Sequence, residues 1–346
     1  MFSMTRYARL LAALAVLAGC AGRPMPPLPG GVPPTETDGS FVMPDGARLP
    51  YRIWLPGGDP WAVVLALHGF DDSRDAWEIP APSFTRDGIA IVAPDQRGFG
   101  AAPGRGRWPG EAVLLRDAAD MLRQVHARYP TARLYAMGES MGGAELMRLA
   151  TEAGAPRLAG IILIAPAVWS RKQMNVFMRS GLWLASRLVP GLAVTGGEVP
   201  VRVRASDNRA ALIRLSQDPL TLHATRFDML RGLVDLMDDA QASAPDLPAN
   251  VLLLYGGQDQ LVPPEAMAAT WCALPPGPVL GFYPNGYHLL LRDLDRAQPT
   301  GDVIAWMHDP TAALPSGADR RARDWLHAQV AAGRCPDAPP RQAGSA

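Results

Sequence analysis

The chemistry in this chain is most visible at Gly138-Glu139-Ser140-Met141-Gly142-Gly143, which follows the short apolar run Arg133-Leu134-Tyr135-Ala136-Met137. This is the pattern of a nucleophile elbow, a sharp strand-to-helix turn that holds a serine hydroxyl clear of the backbone. Such a hydroxyl becomes a useful nucleophile only when an imidazole within reach takes its proton. Glycine at 138 and 142 allows the close backbone approach the turn requires. Beyond it, Ala144, Leu146, Met147 and Leu149 recur at helical spacing until Gly154-Ala155-Pro156. Ser140 is the expected nucleophile.

Two later strand-like runs supply an acid and a base. Val251-Leu252-Leu253-Leu254-Tyr255 leads into Gly256-Gly257-Gln258-Asp259, and a carboxylate just past a strand's C-terminal end lies on the edge where open α/β sheets build their sites. Asp259 is the expected acid. Val279-Leu280-Gly281-Phe282-Tyr283 leads likewise to His288, the expected base. Among the six histidines, His126 and His223 precede Asp259 and break the chain order Ser, Asp, His. His308 and His327 follow it, but in helical or tail-like sequence. An early strand, Val63–Leu67, ends in His68-Gly69-Phe70. The backbone amides of Phe70 and Met141 are the expected oxyanion-hole donors, with His68 bracing the loop. No phosphate-binding glycine loop or dinucleotide fingerprint is present, and the only lysine is Lys172.

Positioning these residues requires a framework of alternating strands and helices. Strand candidates fall at 51–55, 61–67, 89–93, 133–137, 160–165, 250–255 and 279–283, and Phe41-Val42-Met43 could form an antiparallel edge with the first. From Ala112 to Tyr129, one apolar face of Val113, Leu114, Ala118, Met121, Leu122 and Val125 marks a helix. The alternation predicts an α/β fold with a mostly parallel central sheet and helices on both faces. The stretch from about 167 to 249 is far longer than one crossover helix and predicts an inserted helical cap. Within it, Met174, Phe177, Met178, Leu182 and Trp183 crowd together; the stripe reads first as packing and second as a lid for an acyl chain.

On these residues the chain resembles the α/β-hydrolase superfamily, and within it the monoacylglycerol lipase and lysophospholipase-like branch of serine aminopeptidase type. The resemblance spans residues 41–310. It rests on the Gly-Glu-Ser-Met-Gly-Gly elbow, the His68-Gly69-Phe70 turn, Asp95-Gln96-Arg97-Gly98-Phe99-Gly100, which looks like the family's Asp-x-Arg-Gly-x-Gly turn, and Asp218-Pro219-Leu220 near the end of the cap. It implies hydrolysis of carboxylic esters through an acyl-enzyme, with Ser140 as nucleophile, His288 as base then acid, and Asp259 orienting His288. It implies no metal and no organic cofactor, and a small acyl ester as substrate, of monoacylglycerol or lysophospholipid kind. A peptidase or aminoacyl esterase on the same scaffold is the alternative, for which the cap acids Glu198, Asp207, Asp218, Asp235, Asp238 and Asp239 are candidate binders of a free amino group. A non-catalytic envelope lipoprotein that kept the fold is a third.

The N-terminus looks like a bacterial lipoprotein signal. Arg6 and Arg9 precede an apolar run from Leu10 to Ala18, followed by Gly19-Cys20; the run is shorter than the roughly 20 residues of a membrane span. Residues 1–19 are thus expected to be removed and Cys20 to carry the lipid. Ala21 after the cysteine points to the outer membrane, facing the periplasm. A Pro/Gly-rich tether follows over 20–40, then the hydrolase domain over 41–310 and a tail over 311–346. In an oxidising envelope the two other cysteines, Cys272 and Cys335, could pair or remain as free buried thiols. The 346 residues are 48% apolar, enough for a sizeable core, and 33 basic residues balance 33 acidic ones. With no basic stripe to release counterions, a nucleic-acid partner is excluded.

Overall fold

The computed structural model describes residues 35–195 and 203–335. Its strands are β1 (Thr35–Val42), β2 (Arg48–Leu55), β3 (Ala62–Leu67), β4 (Ile89–Pro94), β5 (Arg133–Glu139), β6 (Gly160–Ile164), β7 (Ala193–Thr195), β8 (Ala224–Arg226), β9 (Val251–Gly256) and β10 (Val279–Tyr283). Eight form one sheet in the order β1-β2-β4-β3-β5-β6-β9-β10. β1, β2 and β4 pair antiparallel in sequence, and every pairing from β4 through β3 to β10 is parallel. Parallel strands put their C-terminal ends on one edge, so the segments after β3, β5, β9 and β10 converge there.

The central strands are buried on both sides, hence their unbroken apolar runs. Side chains alternate across the sheet with a period of two. Val63, Leu65 and Leu67 of β3 enter one core, while Ala62, Val64 and Ala66 enter the other. The first core is covered by α2 (Glu111–Arg128), α3 (Met141–Thr151) and, further along the chain, α6 (Phe227–Ala242) and α7 (Pro264–Ala273). The second is covered by α1 (Ala81–Arg86) and α8 (Ala297–His308), with Phe84, Val303 and Trp306 packed against the sheet. Full burial of each such side chain stabilises the fold by about 1.5–3 kcal/mol.

Between β6 and β9 the chain leaves the sheet. It forms α4 (Val176–Leu188), β7, α5 (Arg209–Gln217), β8 and α6, with β7 and β8 paired antiparallel as a separate two-stranded ribbon. Asn175 and Asn208 start α4 and α5 by accepting from the Met178 and Ala211 amides.

The structure corrects one expectation and refines two. The tether does not extend to residue 40: Thr35–Ser40 pairs with Pro50–Leu55 as the sheet's edge strand. Its polar sequence hid it, because an edge strand needs little apolar content. The C-terminal segment, whose Trp325 and Leu326 hint at a docked helix, does dock: α9 (Ala318–Ala331) packs beside β10, and Trp325 stacks on Phe282 at 5.2 Å and lies edge-on to Trp271 at 4.9 Å. Cys272 and Cys335 form a disulfide with Cα atoms 5.7 Å apart, tying the end of α9 to α7. The Met and aromatic stripe packs only in part: Met174 is buried in the first core and Leu182 rests against it. Phe177 of α4 is 85% exposed and Leu188 71% exposed.

Candidate active site

Ser140 sits between the last residue of β5 and the first of α3, with φ 54° and ψ −113°. A non-glycine residue in the left-handed region costs about 1–3 kcal/mol and persists only where its surroundings hold it. Here the Ser140 amide donates to Ile164 (3.0 Å), and its carbonyl accepts from Ala144 (3.0 Å) and Ala167 (2.9 Å). Both flanking glycines are required by contact. A Cβ at Gly138 would lie 2.3 Å from the Gly142 carbonyl oxygen, and one at Gly142 would lie 2.5 Å from that of Leu67. The turn is therefore wedged against the end of β3, where Gly69 lies beside the Ser140 side chain. Met141 opens α3, so its amide has no acceptor within the helix and lies at the positive end of the helix dipole. Phe70 is on the loop that Gly69 brings to Ser140.

Asp259 and His288 are joined. His288 Nδ1 lies 2.8 Å from Asp259 Oδ2, and both residues are buried. Asp259 Oδ1 accepts from the Leu261 (2.8 Å) and Val262 (3.0 Å) amides, which fixes the carboxylate. The loops carrying the two are locked as well: Gly257 N donates to Tyr283 O (2.8 Å) and Gln258 N to Gly286 O (2.9 Å). Burial pulls the His288 pKa down, but the charge and hydrogen bond of Asp259, with Glu139 beyond, outweigh it and hold the imidazole above its ordinary value. His288 Nε2 is buried and has no partner among the described residues. That leaves it available for the Ser140 proton, and both residues line one cavity.

His68 braces the early loop. Its Nε2 accepts from the Gln96 amide (3.1 Å), and Gln96 Nε2 donates to the His68 carbonyl (2.8 Å). Full burial lowers its pKa, so it stays neutral.

One charged cluster at this edge has no counterpart in the expectations. Arg292, 5% exposed, donates to Asp72 Oδ2 (2.7 Å) and also to Glu139 Oε1. Glu139 precedes Ser140, Asp72 follows the Phe70 loop, and Arg292 follows His288, so one guanidinium ties three loops together. Burial raises the Glu139 pKa despite the neighbouring Arg292. The sequence signal is faint: an arginine at the end of the apolar run Leu289-Leu290-Leu291.

The cavity holds about 530 Å³. Away from Ser140 and His288 its walls are mainly apolar, with Met178 and Leu182 from α4, Leu230, Val234 and Met237 from α6, and Leu261 from the acid loop. Asp207, Asp218, Asp235, Asp238 and Asp239 do not line it. Asp235 and Asp238 pair with Arg171, Asp207 accepts from the Leu294 amide, and Asp218 accepts from the Ser73 hydroxyl. Glu198 and the lipid-attachment candidate Cys20 lie outside the described residues.

A protein-family model described as Hydrolase_4, serine aminopeptidase, S33, matches residues 58–295. Monoacylglycerol lipase of Mycolicibacterium smegmatis is 25% identical over 282 residues, covering 79% of this chain and 97% of that protein. Monoglyceride lipase of Homo sapiens is 25% identical over 79% of this chain and 90% of its own length. Among solved structures, a soluble variant of the Saccharomyces cerevisiae monoglyceride lipase with a substrate analogue superposes with a TM-score of 0.65 at 19% identity, over 84% of this chain and 100% of that one. The Paleococcus ferrophilus monoacylglycerol lipase gives 0.62 at 20% identity, over 79% and 98%. These likenesses identify the architecture as the α/β-hydrolase fold.

Proposed function

This chain belongs to the Hydrolase_4 family described as serine aminopeptidase, S33, and on that premise we propose that it hydrolyses fatty-acyl esters of monoacylglycerol or lysophospholipid kind through an acyl-enzyme on Ser140. The observation that carries this reading is the mainly apolar cavity of about 530 Å³ that joins Ser140 and His288 to the cap. Its walls suit an alkyl chain, and flexible Met side chains tolerate chains of different length.

In this mechanism, His288 Nε2 takes the Ser140 proton as the hydroxyl attacks the ester carbonyl. Asp259 stabilises the imidazolium that forms and holds the ring in place. The Met141 and Phe70 amides receive the developing oxyanion. His288 then returns the proton to the leaving alcohol, and water repeats the sequence to release the fatty acid. The peptidase alternative has one foothold at the site: Asp207, Asp218, Asp235, Asp238 and Asp239 lie outside the cavity lining, and Asp72 and Glu139 are paired with Arg292, which leaves Asp71 as the lining carboxylate with a free oxygen.

The reading extends to location. Lipidated Cys20 would hold the enzyme at a membrane. Phe177, Trp183 and Leu188 expose their apolar surface on α4, the helix whose Met178 and Leu182 line the cavity. No acidic residue occurs in α4, while Arg179 and Arg187 do, a composition suited to an anionic lipid surface. Hydrolysis of p-nitrophenyl esters from acetate to palmitate, beside an aminoacyl-p-nitroanilide, tests the substrate class. Serine-dependent activity rising with chain length is expected. Activity confined to the anilide would move the protein to the peptidases, and silence on every substrate would favour the non-catalytic reading.

A further inference from the structure

Two polar side chains interrupt the apolar lining of the catalytic cavity. Asp71 and Thr221 both line it, and Asp71 Oδ1 and Thr221 Oγ1 are buried with no hydrogen-bond partner among the described residues. Thr221 is only 8% exposed. A buried polar atom left unpaired typically costs about 1–3 kcal/mol. Two such atoms beside one cavity call for partners, which water supplies in the free protein and a ligand can supply in its place.

The pair is built into a rigid corner. The Asp71 carbonyl accepts from the Leu222 amide (2.8 Å), and its Oδ2 accepts from the Thr225 hydroxyl. The turn carrying Thr221 is clamped by Arg105, whose guanidinium donates to the carbonyls of Pro219 (2.9 Å), Leu220 (2.8 Å) and Thr221 (3.1 Å). Asp218 caps the same turn, accepting from the Leu220 amide (2.8 Å) and the Ser73 hydroxyl (3.2 Å). Asp71 itself is held at φ 61°, one residue past Phe70 on the oxyanion loop. A strained backbone aims this side chain next to the catalytic centre.

We propose that Asp71 Oδ1 and Thr221 Oγ1 form a subsite for hydroxyl groups of the leaving alcohol, selecting a polyol ester over a simple alkyl ester or a phosphodiester-bearing one. This rests on the ester-hydrolase reading above. A carboxylate oxygen can only accept, and an alcohol hydroxyl supplies the proton it lacks; the threonine hydroxyl can accept or donate to a second hydroxyl. A lysophospholipid keeps one glycerol hydroxyl, but in place of the second it sets the negative charge of a phosphodiester against the carboxylate. Burial raises the Asp71 pKa to about 6, with Thr225 opposing, so the group is mostly ionised in neutral buffer. Of the two substrate kinds named above, the site therefore favours the monoacylglycerol.

The test uses the full chain in detergent and four esters of one fatty acid: glyceryl, ethyl, aminoethyl and glycerophosphocholine. Asp71→Asn keeps a residue that tolerates the left-handed backbone and keeps the acceptor for Thr225, but turns the free acceptor into a donor. Thr221→Val removes only the hydroxyl. The wild type is expected to prefer the glyceryl ester, and each variant to lose on the order of tenfold in kcat/KM for it, mainly in KM, while ethyl-ester turnover changes by less than about twofold. Unchanged fluorophosphonate labelling of Ser140 would show that the variants are folded. Equal losses on the glyceryl and ethyl esters, no wild-type preference for the glyceryl ester, or faster cleavage of the aminoethyl or glycerophosphocholine ester would overturn the subsite. Failure of the wild type on all four esters would instead overturn the parent reading.

Discussion

Arg292 donates to the Asp72 carboxylate at 2.7 Å across 220 positions of sequence, and the same nitrogen reaches Glu139 beside Ser140. The contact closes the His288 loop onto the Phe70 loop and the turn at Ser140. Each partner is buried, so none can fall back on water when the others are removed.

Arg292→Met is accordingly expected to destabilise the protein by about 3–5 kcal/mol, because two buried carboxylates lose their cation. Urea unfolding measures it. A midpoint unchanged from wild type would show that the cluster does not hold the three loops together.

His288 must be neutral to act as a base, and Asp259 holds its pKa above the ordinary 6.5. A raised folded pKa means that the active form is lost as pH falls through a value above 6.5, so kcat/KM should rise with pH on that limb. Asp259→Asn removes the largest upward influence and leaves burial, which pulls downward. The limb should move to lower pH while the rate falls about 10⁴-fold. A pH profile of kcat/KM for both proteins decides it; a limb that stays in place would separate Asp259 from the base.

The triad loops were legible because each catalytic residue follows a strand too apolar to be anything but buried, and parallel strands bring such loops to one edge. The cap was legible from length alone, but its exposed face was not. Met and aromatic residues at helical spacing look the same whether they pack inward or face outward, as Phe177 and Leu188 do. Arg292 was invisible for a different reason. A lone arginine acquires its role only from Asp72 and Glu139, which are remote in sequence. β1 was partly missed because an exposed edge strand carries no apolar signature.

The Cys272–Cys335 disulfide closes a span of 63 residues around β10, α8 and α9. Replacing both cysteines by serine should cost about 2–4 kcal/mol through greater freedom of the unfolded chain. Calorimetry of the oxidised, reduced and substituted proteins reads the change. Equal melting temperatures in all three would remove the bridge from the account of stability.

Exposed Phe177 and Trp183 should carry α4 onto lipid. Phe177→Ser/Trp183→Ser in a chain that starts at Ala21 is expected to lower sedimentation with vesicles containing anionic phospholipid, while hydrolysis of a water-soluble short-chain ester persists. Equal sedimentation of the variant and its parent would exclude this face as the contact.

The most direct test of the central claim is hydrolysis of a monoacylglycerol by the wild type and by Ser140→Ala, with the acyl-enzyme trapped by rapid acid quench and located by mass spectrometry. The account predicts turnover by the wild type, an acyl group on the peptide containing Ser140, and a loss on the order of 10⁶-fold in the variant. Wild-type rates in Ser140→Ala, or an acyl group on another residue, would contradict it.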